Sequence, residues 1–137
     1  MPYELKELKS GSAFTVYGLV RDGHCSTEEF LSEVEKNDQD ALDSLLAVME
    51  RTANHGPPHN QQKCRAVGNG IYEFKPKYLR VCWFYDAGRM VICTHGFTKG
   101  TEKMQNDAIK KAVKEKNAYF EAKKTMKIRI IESASNI

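Results

Sequence analysis

Alternating and helical patterns of apolar residues divide the chain into clear stretches. Residues 12–20, "SAFTVYGLV", mix β-branched and aromatic residues and predict a first strand, closed by a turn at Asp22-Gly23. "STEEFLSEVEK" follows, with Ser26 and Glu29 spaced as a capping box ahead of an apolar stripe at Phe30, Leu31 and Val34. A second helix restarts after a cap at Asn37 or Asp38, and its face of Leu42, Leu45, Leu46, Met49 and Ala53 runs to Gly56-Pro57-Pro58. Residues 55–68, "HGPPHNQQKCRAVG", read as a loop. Strands are then expected at "NGIYEFK", at 79–85 and at 89–95. A third helix covers 101–124, with Ala108, Ile109, Ala112, Val113 and Phe120 as its apolar face. "MKIRII" can add a short edge strand before a polar tail. The order β-αα-βββ-α predicts one α+β domain over residues 1–137, its sheet largely antiparallel, with two N-terminal helices packed on one face and a C-terminal helix.

The hairpin at 79–95 carries more than packing. A two-residue turn at Ala87-Gly88 pairs Phe84 with Val91, Cys82 with Cys93, and Arg80 with His95. One face then holds Leu79, Val81, Trp83 and Tyr85 with Met90, Ile92 and Thr94, and should pack on the helices. The other holds Arg80, Cys82 and Phe84 with Val91, Cys93 and His95, apolar near the turn and cationic at the open end. Lys99 follows where the chain leaves the sheet, and Lys75 joins if Ile71, Glu73 and Lys75 share that face.

Charge sharpens this picture. The net charge is only +3, yet residues 1–62 hold 5 Lys/Arg against 11 Asp/Glu while residues 63–137 hold 16 against 7. A basic half on an acidic chain points toward nucleic acid; a lysine-rich solvated helix face is the plainer explanation. With 41% hydrophobic and 28% charged residues, the composition is that of a soluble globular protein. No run approaches a membrane span, the first residues lack the apolar core of a signal peptide, and the expected location is the cytoplasm. The four cysteines and four histidines fit no paired metal-ligand spacing, so neither a metal nor another cofactor is expected. Cys82 and Cys93 would face each other in a hydrogen-bonded pair, poor disulfide geometry, and are taken as thiols.

Convergent cations on an open sheet suit a phosphodiester: arginine binds phosphate through two parallel N–H groups and lysine adds point charge. A neutral histidine beside them can exchange a proton. The competing explanation is an exposed sheet end where charges meet water.

The segments "IYEFK", "LRVCWFY", "MVICTHGFTKG" and "NDAIKKAVKEKNAYF" resemble the RelE/HigB superfamily of toxins from type II toxin–antitoxin systems, most of all its phage-derived branch. The resemblance spans about residues 13–124, leaving 125–137 as a C-terminal extension. It implies a small RelE-like, microbial-ribonuclease-like domain that cleaves mRNA on the ribosome by 2′-hydroxyl attack on the adjacent phosphate, without a metal. It also implies a cognate antitoxin, a small helix-turn-helix protein encoded next door. By position, Arg80 matches the arginine at the scissile phosphate, with His95 and Lys99 as its catalytic companions. Lys75, Phe97 and Lys103 would bind RNA. Gly100 stands where a second basic residue is usual, and no tyrosine follows where some relatives place one; Asn106 lies near that register. Two other functions remain open: a gyrase-binding toxin of the ParE kind, and a binding module that has lost catalysis.

Overall fold

In the computed structural model residues 3–132 are described, and the polar tail expected after "MKIRII" lies outside them. A single eight-stranded sheet carries helices on both faces. In chain order the elements are β1 (Tyr3–Ser10), β2 (Thr15–Arg21), β3 (His24–Cys25), α1 (Ser26–Asn37), α2 (Gln39–His55), β4 (Cys64–Gly68), β5 (Ile71–Phe74), β6 (Leu79–Asp86), β7 (Met90–Thr98), α3 (Glu102–Thr125) and β8 (Arg129–Ile131). The strands lie in the order β4-β5-β6-β7-β2-β1-β8, with β3 paired to β2 alone.

The sheet is largely antiparallel, as expected, but mixed: five of its seven strand pairings are antiparallel and two are parallel. β2 runs parallel to β7, and β1 parallel to β8. The α1–α2 pair separates β2 from β4–β7, which lets β7 return beside β2 in the same direction, as a helical crossover permits. Three strands were not anticipated, the two-residue β3 among them. β1 lies in "YELKELKS", where Tyr3 and Leu5 alternate inward until a bulge between Glu7 and Lys9 breaks the period. Leu8 then packs with the α1–α2 core while Tyr3 and Leu5 pack with the opposite one. β4 lies within the stretch expected to be loop. The core therefore begins before residue 13, and β8 supplies the edge strand foreseen in "MKIRII".

The helices form for the reasons their sequences give, with one change. The Asp38 carboxylate accepts from the Ala41 N–H and caps α2, and Leu42, Leu45, Met49 and Ala53 are buried on the sheet. Ser26 is the first residue of α1 rather than its cap: Cys25 holds the cap position without a side-chain hydrogen bond, so the Ser26–Glu29 capping box does not form. Gly96 lets α1 lie close on β7, since a Cβ there would fall 2.1 Å from the Phe30 ring. α3 crosses the other face, burying Ala112 and Tyr119 against Leu5, Cys82, Phe84 and Ile92. No helix among the described residues is long and apolar enough to cross a membrane.

The β6–β7 hairpin departs from the expected register twice. Asp86 pairs with Met90, so the loop is the three residues Ala87-Gly88-Arg89, with left-handed backbone at Gly88 (φ 89°) and Arg89 (φ 60°). That extra residue turns β7 over relative to β6 near the loop. Val91 and Cys93 therefore join Trp83 on the α1–α2 face, while Ile92 joins Phe84 under α3. A bulge then leaves Thr94 unpaired, because Trp83 faces Cys93 but Cys82 faces His95. β7 pairs with β2 only as far as Cys93, and β3 takes the same edge of β2 from Val20 onward. The bulge falls where β7 loses that neighbour. All four cysteines are buried free thiols.

Candidate functional site

The two register shifts add to two residues. His95 thus lies on the same face as Arg80 but opposite Cys82, one rung inward, and Phe97 takes the place opposite Arg80. The expected pairing of Arg80 with His95 is not formed. Nor is this face open at its centre, because α3 covers it. Glu73 pairs with Cys82 and Ile71 packs under α3, so the β5 residues do share the face of Arg80.

Arg80 is only 6% exposed. Its Nη1 donates to the carbonyl oxygens of Leu79 (2.8 Å), Lys77 (2.9 Å) and Lys75 (3.4 Å), curling the 75–79 turn around the guanidinium. Its Nε stands 3.7 Å from Oε1 of Glu73. Nη2 makes none of these contacts. Burial lowers the arginine's pKa and Glu73 opposes the shift, but a guanidinium stays charged throughout.

Glu73 organises the site and was not recognised from sequence. Its carboxylate is fully buried; Oε2 accepts from Nε2 of Gln105 on α3 at 2.6 Å, and Oε1 sits between the Arg80 and Arg65 Nε atoms at 3.7 and 3.5 Å. Oε1 has no hydrogen-bond partner among the described residues, so the buried carboxylate holds the two arginines beside it through ion-pair contacts alone. Arg65 was also missed. Its signal existed: had "CRAVG" been read as a strand beside β5, Arg65 would have fallen opposite Glu73, as it does.

Lys75, half-buried just beyond β5, completes the cluster. Burial pushes its pKa down, and Arg65, Arg80 and Lys99 push it further, against Glu73. The exposed Lys99 is tied at its backbone, where its N–H donates to the Tyr78 carbonyl at 2.7 Å. Arg65, Lys75, Arg80 and Lys99 thus act on one patch at the margin of the sheet, with half-exposed Phe97 beside Arg80.

Two of the expected residues stand apart. His95 is 6% exposed, its Nδ1 lies 3.0 Å from the Thr94 hydroxyl, and its Nε2 is buried with no partner. Burial, and next the Lys111 ammonium, push its pKa down to about 4, so it is neutral at pH 7. Its ring stacks on Phe97 at 5.9 Å. Lys103 is exposed on the first turn of α3 and ion-paired with Asp107 at 2.9 Å. Gly100 is exposed, and a Cβ there would meet only the flexible end of the Met104 side chain.

The fold is a layered one, a sheet with helices on both faces, and it carries an arginine–lysine patch built around the buried Glu73. Residues 29–117 match the family described as phage derived protein Gp49-like, so the chain belongs to that family, a HigB-like family of toxin–antitoxin systems. None of the curated proteins matches the sequence.

Proposed function

We propose that this protein is the toxin of a type II toxin–antitoxin system, a ribosome-dependent endoribonuclease that cuts mRNA. One observation supports it above others: four cations converge on a margin patch and two of them are aimed by the buried Glu73. In the reaction the ribose 2′-oxygen attacks the adjacent phosphorus and the bond to the 5′-oxygen breaks. The products are a 2′,3′-cyclic phosphate and a free 5′-hydroxyl. One proton leaves the 2′-hydroxyl and one reaches the departing oxygen, so a metal is not required. Nη2 of Arg80, with Arg65 and Lys99, offsets the charge gathering on the phosphate oxygens. Lys75, whose pKa is lowered by burial and by the neighbouring Arg65 and Arg80, accepts the first proton when its amine is neutral. Glu73 is a positioning residue, because a fully buried carboxylate cannot touch the substrate. His95, sealed and neutral, holds Phe97 as a stacking surface for a base rather than exchanging protons. Lys103 extends the basic margin. The ribosome supplies the remaining alignment, in the cytoplasm, and a small helix-turn-helix antitoxin from a neighbouring gene neutralises the basic patch.

A second reading, a binding module without catalysis, draws on the three carbonyls that occupy Nη1 of Arg80. Induced expression with primer-extension mapping separates the two. Growth arrest with cleavages inside translated codons, lost in Lys75→Met and Lys99→Ala, supports the nuclease. Arrest without cleavage overturns it and turns attention to gyrase or another protein target.

A further inference from the structure

The fold carries a second cationic feature that the patch at Arg80 does not use. Beside it, α2 and the loops at 57–63 and 75–77 enclose an open groove of about 570 Å³. Ala47, Pro58 and Pro76 line it, and three cations reach it: Arg51 from α2, Lys63 ahead of β4, and Lys77. No carboxylate lines the groove, and none of the three cations has an ion-pair partner among the described residues. The acid within electrostatic reach of Lys77 is Asp38, already bonded to the Tyr78 hydroxyl and the Ala41 N–H. This is notable on α2, which lies in the acidic half of the chain.

The groove and the patch share their walls. Lys77 adopts left-handed backbone (φ 54°), and its carbonyl accepts from Arg80. The Lys63 carbonyl accepts from the Lys75 N–H at 2.8 Å. The segments that place Lys63 and Lys77 over the groove therefore also place Lys75 and Arg80 at the patch.

We propose that this groove binds the sugar–phosphate backbone of single-stranded RNA, holding the strand that flanks the phosphate at Arg80. The proposal rests on the RNA-directed reading above and names a docking track for it. An apolar floor under two lysines and an arginine, with Ser44 and Gln62 as its uncharged polar side chains, fits contact dominated by the charged backbone.

The test uses the full chain and a fluorescein-labelled single-stranded RNA, 2′-O-methylated throughout so that it cannot be cut. Anisotropy titrations across salt compare wild type with Arg51→Gln/Lys63→Gln/Lys77→Gln. A control, Lys110→Gln/Lys114→Gln/Lys124→Gln, removes the same charge from exposed positions of α3. Each phosphate contact on a single strand contributes about 0.7 to the slope of log K against log salt. The groove variant should show a slope shallower by about 2 and binding about tenfold or more weaker at low salt, with the control within about twofold of wild type. Equal losses in both variants, or none in the groove variant, overturn the proposal. So does groove-dependent binding of a polyglutamate peptide in place of RNA, which would assign the surface to an acidic protein. Primer extension separates this from the nuclease reading. Wild-type cleavage with RNA binding unchanged in the groove variant removes the groove alone. Groove-dependent binding without wild-type cleavage removes the nuclease and keeps the groove.

Discussion

Arg80 shows how one residue can serve fold and site together. Its Nη1 satisfies three carbonyls of the turn that carries Lys75 and Lys77, and its Nε balances a buried carboxylate. Arg80→Ala should therefore cost about 3 kcal/mol or more of stability, since Glu73 would stay buried with less compensation. In urea denaturation, adding Glu73→Gln to that variant should recover part of the loss, whereas strictly additive losses would show that the two are not coupled. Activity lost in Arg80→Ala alone is accordingly ambiguous, and the exposed Lys99 is the better probe of chemistry. His95 makes a prediction of opposite character. Its folded-state pKa of about 4 lies below the unfolded value near 6.5, so the unfolded chain takes up the proton first as pH falls. The stability tied to a neutral His95 is complete above about pH 6.5 and is lost on descending to about pH 4, about 3 kcal/mol in all. Denaturation of wild type and His95→Gln over that window should show a steeper decline in wild type; parallel curves would refute the assignment.

At the scale of elements, hairpin and helix are locked to each other. The Asp86 carboxylate, at the end of β6, accepts from the Tyr119 hydroxyl and the Lys123 ammonium, each at 2.7 Å. Burial pushes the pKa of Asp86 up, but these bonds and the Ala87 N–H outweigh it and hold it below its usual range. The stabilisation is present above the ordinary aspartate pKa and disappears as pH falls through the lowered one. Tyr119→Phe removes a buried donor to a charged acceptor and should cost about 1.5 to 3 kcal/mol at pH 7. That cost should shrink as acid protonates Asp86, as thermal melts over a series descending from pH 7 to well below the ordinary aspartate range would report; a difference unchanged to the acid end would show that Asp86 is not the partner. The same hairpin shows what local sequence conceals. "DAGR" announces a turn, but whether two or three residues form the loop depends on Arg89 accepting a left-handed backbone. The Thr94 bulge falls where β3 takes over from β7 along the edge of β2. Neither strand signals its neighbour in its own sequence.

At the scale of the molecule, charge follows architecture. The acidic residues concentrate before residue 63 and the basic ones after it, and the sheet gathers cations from β4, from the end of β5, from β6 and from beyond β7 onto one margin. The sequence by itself determined the helices, the hairpin, the edge strand at "MKIRII" and the cationic character of Arg80, Lys75 and Lys99. Each rests on periodicity, turn residues or local charge, and these survive any tertiary arrangement. β1 was hidden because its bulge breaks the alternation, and β4 because five mostly exposed residues with no apolar alternation do not announce a strand. Only tertiary structure decided that α3 seals His95 away from Arg80. It alone turned Glu73 from one polar residue in a strand into the charge that aims two arginines. Burial, register and pairing across distant strands are properties of the packed sheet, because each depends on residues that no local stretch contains.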